Sequence, residues 1–220
     1  ISLWKGDDEG TRPPLEAGLA LASELQHREL EAEGHLIHGQ LDLDTGTPGQ
    51  AKDRFLRSLA ISQGAGDTRG EANARWWLAK VELDEVDIEA ACLHLAQALD
   101  VFRAFEMRIE LLGCLEDHTV LAWRLAHYDE AVQLAAAVAA ARERLTLIRP
   151  PRMESRWQRH VASMRTEMDD ESFEAAWNLG CKIGLDEAIQ LAQKVRGLAA
   201  QVATAPASAQ SSPDPGNALI

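Results

Sequence analysis

Three stretches forty residues apart decide the fold: AKDRFLRSLAI at 51–61, ACLHLAQALDV at 91–101 and AVQLAAAVAAA at 131–141. Each opens on an alanine (Ala51, Ala91, Ala131). Apolar or small residues follow four and eight positions on: Phe55 and Leu59, Leu95 and Leu99, Ala135 and Ala139. That recurrence is one face of an α-helix, and the small residue that begins it lets a neighbouring helix approach closely. The register extends outward. Leu15 and Leu19 occupy the same two columns, and Leu21, Ile61, Val101 and Ala141 make another. In the other half of the unit Ile1, Leu41, Val81 and Leu121 align, as do Leu3, Leu43, Leu83 and Trp123. Gly6 and Gly46 share a register continued by Val86 and Ala126. An ungapped period of this length is the mark of a repeat array.

Each unit reads as two helices. Leu36, Leu41 and Leu43, then Trp76, Leu78, Val81 and Leu83, carry the first. Strand signals are weak, with one tyrosine and no period-two run of note. Turn residues sit at Thr45–Gly49 inside a unit and at Gly64–Asp67 between units. Pro48 suits a first helical turn, where its missing N–H costs nothing. A single hairpin cannot bury its apolar face alone, so the units must stack. The sequence therefore predicts an all-α, antiparallel helical-hairpin solenoid over 1–149. It holds a half unit at 1–28 and whole units near 29–68, 69–108 and 109–148. The chain opens at Ile1 within a half unit, so either another hairpin precedes it or this end is frayed, and an exposed half repeat there would be free to pair between chains.

Pro150-Pro151 ends the period. Residues 150–199 read as a cap of three helices. The first, 152–168, carries Trp157, Val161 and Met164 on one face. The second opens on Asp169-Asp170-Glu171, where the helix dipole favours acids. After a break between Gly180 and Gly184, the third spans 185–199. The Ala/Ser/Pro/Gln stretch 200–220 reads as a flexible tail.

Composition narrows the function. With 46% hydrophobic and 26% charged residues the chain has ordinary globular usage and can bury a core. Its 22 Lys+Arg against 35 Asp+Glu give a formal charge of −13. That balance opposes a nucleic-acid surface, which needs clustered cations, and opposes docking on anionic lipid. The longest apolar run, Ala131–Ala141, is too short to span a bilayer and ends at Arg142. Three widely spaced cysteines (Cys92, Cys114, Cys181) without a CxxC fit reduced thiols, and a cytoplasmic location is expected.

The unit resembles a tetratricopeptide repeat of the longer, roughly 40-residue kind. The small residue of the first helix corresponds to Gly39, Ala79 and Thr119. The alanine of the second corresponds to Ala51, Ala91 and Ala131. His38 departs from the pattern, standing where an aliphatic residue is usual, and Thr119 replaces glycine or alanine. The C-terminal Glu171-Ser172-Phe173-Glu174-Ala175-Ala176-Trp177, then Gly180, then Leu185–Ala192, is similar to the end of LuxR-type ATP-dependent bacterial transcriptional regulators and related signalling ATPases. That resemblance implies a nucleotide-binding domain upstream and a regulatory array that binds a protein, a peptide or a small inducer. The tetratricopeptide resemblance further implies that the first helices line a concave groove, with Gln40, Asn73, Trp76, Lys80, Trp123 and Arg124 projecting into it. Asn and Lys suit a peptide backbone or carboxylate, and Trp a flat apolar anchor. The alternative is that Trp76 and Trp123 fill core. Trp76 and Trp77 point about 100° apart on a helix, so both are buried only if that helix is enclosed.

Signs of chemistry are sparse. No Walker A sequence is present, and Gly64–Gly70, which follows a helix, reads as an inter-unit turn. His35 and His38 have a metal-compatible i, i+3 spacing with Glu31 and Asp42 nearby, but zinc needs three or four ligands. They read as histidines at a helix seam. Asp117-His118 has no nucleophile that the sequence places beside it, and Cys92 and Cys114 read as buried inert thiols. The basic helix with Arg152, Arg156, Arg159, His160 and Arg165 is flanked by acids and is expected to pair within the chain. The expected function is a non-catalytic interaction and sensor module without metal or cofactor. A stand-alone adaptor comes second, and a metal-dependent helical enzyme using His35, His38 and Asp42 third.

Overall fold

The computed structural model describes residues 8–204. Among the described residues the chain forms helices and no strand: α1 (Asp8–Glu24), α2 (Arg28–Asp44), α3 (Pro48–Ala65), α4 (Thr68–Glu85), α5 (Ile88–Ala104), α6 (Arg108–Arg124), α7 (Tyr128–Leu145), α8 (Pro151–Glu167), α9 (Asp170–Gly180) and α10 (Leu185–Thr204). This is an all-α helical repeat solenoid. Hairpins α2/α3, α4/α5 and α6/α7 start forty residues apart, and α1 holds the place of a second helix packed on α2. The expectations for Ile1, Leu3 and Trp4, and for the tail beyond Thr204, lie outside the described residues. The last helix runs past its expected end at residue 199, to Thr204.

The period has a backbone cause. Positive φ occurs at Gln26, Gly46, Gly66, Val86, Glu106, Ala126 and Thr146, one residue in every twenty. At each of these positions the next residue's N–H reaches back five residues to a carbonyl, from His27 to Ala22 (2.9 Å) through Leu147 to Arg142 (3.0 Å). This is the Schellman closure, which satisfies the last carbonyls of a helix. The following residue then caps the next helix. Asp67 accepts from the Gly70 N–H at 3.0 Å, and Asp87 from that of Ala90 at 3.2 Å. The same closure therefore stops the helices from α1 to α7, and at Asp67 and Asp87 the residue that completes it also caps the helix that follows.

Between the turns, the aligned columns form the core. Ala51, Ala91 and Ala131 are fully buried, as are Phe55, Leu95 and Ala135 one turn later. Packing is complementary across each hairpin. A Cβ built on Gly39 would lie 2.4 Å from the Phe55 ring. In the next two units the first-helix residue grows to Ala79 and Thr119 while its counterpart shrinks to Leu95 and Ala135, so the seam keeps nearly one volume. First helices pack on one another from unit to unit, α2 on α4 and α4 on α6. They form the inner side of the array.

Three helices follow Pro150, and they do not all pack alike. α9 and α10 close the array: α9 packs on α7, and α10 runs across α5, α6 and α7. α8 instead folds back against the first helices. Its Trp157 and Met164 are buried in one cluster with Ala122 of α6 and Ala131 and Ala135 of α7. Arg156 reaches Asp84 of α4 at 3.1 Å, and His160 reaches Thr119 of α6 at 3.1 Å. The physical reason is that the apolar stripe of α8 needs a cover, and the acid that meets Arg156 lies on α4. The expected pairing within the C-terminal segment is also present, between Arg165 and Glu174.

Candidate functional site

The return of α8 encloses a cleft of about 360 Å³ between α4, α6 and α8. Trp77 and Lys80 of α4, Asp117 and Arg124 of α6, and Trp157 and His160 of α8 are among its walls. Its floor is a buried polar cluster. The Trp76 indole N–H and the Lys80 ammonium both donate to one oxygen of Asp117, at 2.6 and 2.5 Å. Lys80 also stands over the rings of Trp76 (4.6 Å) and Trp77 (5.3 Å). All three members are buried. The ammonium is held by an opposite charge and two aromatic faces, so it is satisfied without solvent.

The wall formed by α8 is latched by polar contacts. Glu116 accepts from Arg142 at 2.6 Å and from Arg149 at 2.7 Å, fixing the link that leads into α8. Arg149 in turn lies 4.6 Å over the Trp157 ring. Thr119 spends its hydroxyl hydrogen on the carbonyl of Glu116 at 2.7 Å, so its oxygen accepts from Nε2–H of His160. Burial holds the His160 imidazole below histidine's ordinary pKa and so neutral.

The structure divides the six residues assigned to a groove. Lys80 and Arg124 line the cleft. Trp76 is buried behind it, edge-on to Phe102 at 5.7 Å and pressed on Gly113, where an added Cβ would lie 2.4 Å from its ring. The core alternative therefore describes Trp76. Trp123 is half-buried and packs on Tyr128 at 4.6 Å, away from the cleft walls. Gln40 and Asn73 are half-buried on α2 and α4 and are not among the lining residues. Trp77, Asp117, Trp157 and His160 are the additions. One signal for Asp117 was in the sequence: it stands forty residues after Trp77 and so shares its register in the repeat.

The other candidates are placed as follows. His118 donates from Nδ1 to the carbonyl of Cys114 at 2.8 Å, while Asp117 faces Lys80. Burial pushes the Cys114 thiol well above its ordinary pKa, which makes it a poor nucleophile. Gly66 is an inter-helix turn residue in the left-handed conformation. Among the described residues no group of three or more His, Cys, Asp and Glu is arranged to hold a metal ion. No helix among them is long and apolar enough to cross a membrane.

Comparison with known proteins gives one line of similarity. No family model and no solved structure matches the chain. Over 116 residues, 53% of the chain, it is 33% identical to proteins of Mycobacterium bovis and of two strains of Mycobacterium tuberculosis named as candidate HTH-type transcriptional regulators. The match spans 12% of the length of each of those proteins. Over about half its length, then, this helical array is similar to a segment of bacterial proteins named as transcriptional regulators.

Proposed function

We propose that the chain is a non-catalytic, tetratricopeptide-like interaction and sensor module of a transcriptional regulator, and that its ligand enters the cleft between α4, α6 and α8. The observation that carries this reading is the cleft itself. Its floor is made rigid by the Trp76–Lys80–Asp117 cluster, and its lid is a helix held largely by side chains. Trp77 and Trp157 offer aromatic faces and Arg124 an exposed cation, which suits a peptide or small inducer with an apolar body and an acidic group. Occupancy would move α8 relative to the first helices and so bias a nucleotide switch elsewhere in a longer parent. The similarity to regulators supports the regulatory half of the reading.

The test must spare the floor. Removing Lys80 or Asp117 leaves a buried charge uncompensated, at a cost of about 3–5 kcal/mol, and would confuse binding with unfolding. Arg124 is exposed. Arg124→Glu should keep the helical circular dichroism of the parent and lose the peptide or small molecule that the parent retains from native lysate, as read by mass spectrometry. Equal retention by both proteins would overturn the cleft as the binding site.

A further inference from the structure

A second cleft, of about 340 Å³, lies between α1, α2 and α3. His35 and His38 of α2, Arg54 and Arg57 of α3, and Glu16 and Ser23 of α1 line it. His38 is fully buried and His35 is 9% exposed. Neither ring nitrogen of His38 has a hydrogen-bond partner, nor does Nδ1 of His35, nor Oδ2 of the buried Asp42. Buried polar atoms in folded proteins are almost always paired, and each orphan costs roughly 1–3 kcal/mol. Four of them here share one face of one helix, at positions 35, 38 and 42. The walls are fixed on both sides of that face. An added Cβ on Gly34 would lie 2.9 Å from Leu19 of α1, and one on Gly39 would lie 2.4 Å from Phe55 of α3. The helices are therefore in close contact around the imidazoles, yet leave them unpaired.

Charge selects what fits. Arg12 holds one oxygen of the buried Asp42 at 3.1 Å, and Arg54 stands 3.9 Å from the other, beyond hydrogen-bond reach but close enough to balance its charge. Glu31 is engaged by Arg28 at 3.2 Å. Arg57 is exposed, one turn from Arg54. A metal cation would have to enter against these guanidiniums, and the donor set is not arranged to hold one. An anion meets the arginines and accepts from the imidazole N–H groups. Burial and the arginines together keep both rings neutral, so each carries a single N–H. Glu16, exposed at the rim, would meet a hydroxyl or amine next to the anionic group.

We propose that this cleft is a binding site for a small oxyanion, a carboxylate or phosphate, held by Arg54 and Arg57 and by the ring N–H groups of His35 and His38. Because the site is built from three helices, its ligand would clamp α1 onto the α2/α3 hairpin. The proposal does not depend on the inner cleft.

The test uses the full chain with ¹⁵N-labelled histidines at neutral pH. Ring nitrogens are followed while inorganic phosphate is added in one arm and succinate in another, with sodium chloride at matched ionic strength as control. The expected result is a saturable shift at His35 and His38, and none at His160, in at least one arm, with half-saturation below roughly 1 mM. Arg57→Gln should weaken it about tenfold or more. The arm that saturates shows whether the natural ligand is phosphate-like or carboxylate-like. A second variant, His38→Leu, removes two orphan atoms, so it should fold at least as stably as the parent while losing any anion-dependent rise in Tm. No saturable shift in either arm, or a shift or Tm rise that both variants retain, overturns the site.

Discussion

Val86 shows how the repeat is made and where it is strained. It closes α4 with φ of 64°, and its side chain is 57% exposed. An L-residue in the left-handed region costs roughly 1–2 kcal/mol, and a β-branched one is the least suited to it. Nothing is gained by burial in return. Val86→Gly or Val86→Asn should therefore raise stability by about 1 kcal/mol, seen as a Tm increase of about 2–4 °C for a chain of this size. A lower Tm in both variants would show that the valine contributes packing that outweighs its backbone strain. The same position marks the limit of sequence reading. The column Gly46, Val86, Ala126 announces the register, but its conformational meaning is written only in Gly46 and Gly66. The other five left-handed turns carry Gln, Val, Glu, Ala and Thr, residues with no such signature. The period of forty was therefore legible and the turn-to-turn period of twenty was not.

At the scale of elements, close approach decides how helices seat. Gly180 is the strongest case. A Cβ there would lie 2.3 Å from the carbonyl oxygen of Gln133 and 2.8 Å from its Cα. Both are backbone, so no side-chain rotation relieves the clash, and α9 must lift off α7. Gly180→Ala should destabilise the chain by about 1–3 kcal/mol. Hydrogen exchange should quicken in α9 and α10 while α2 to α5 keep their protection. Uniformly faster exchange would mean instead that the array has no separable C-terminal unit. The start of α9 was readable from Asp169, which accepts from the Ser172 N–H at 2.8 Å, and its end from Gly180. The path of α8 was not. Periodicity shows that Trp157 and Met164 share a face, but not what covers that face. The contacts that decide it, Arg149 to Glu116, His160 to Thr119 and Arg156 to Asp84, span 33, 41 and 72 residues. For the same reason Lys80 and Arg124 were recognisable as cleft residues from their own helices, whereas Trp157 and His160 had to be brought there by α8.

For the whole molecule the informative variable is pH, because two effects act with opposite sign. The chain carries a formal charge of −13, so acidification toward its pI of about 4.9 relieves self-repulsion and on that ground should stabilise it. His35, His38 and His160 act the other way. Burial is the main cause that holds each below histidine's ordinary 6.5. Above that value these rings are neutral in folded and unfolded chains alike and add no pH dependence. Below it the unfolded chain takes up protons that the folded one resists, so stability falls as pH drops from 6.5 toward the folded values. The carboxylates of Glu71 and Glu130, whose pKa values are lowered in the fold, lose their contribution only in a separate window below 4.5. Urea midpoints should therefore decrease between about pH 7.5 and about pH 5.5. The decrease should shrink in His38→Leu, which cannot be protonated at that position. A midpoint that holds or rises over this interval would show that charge relief outweighs the histidines.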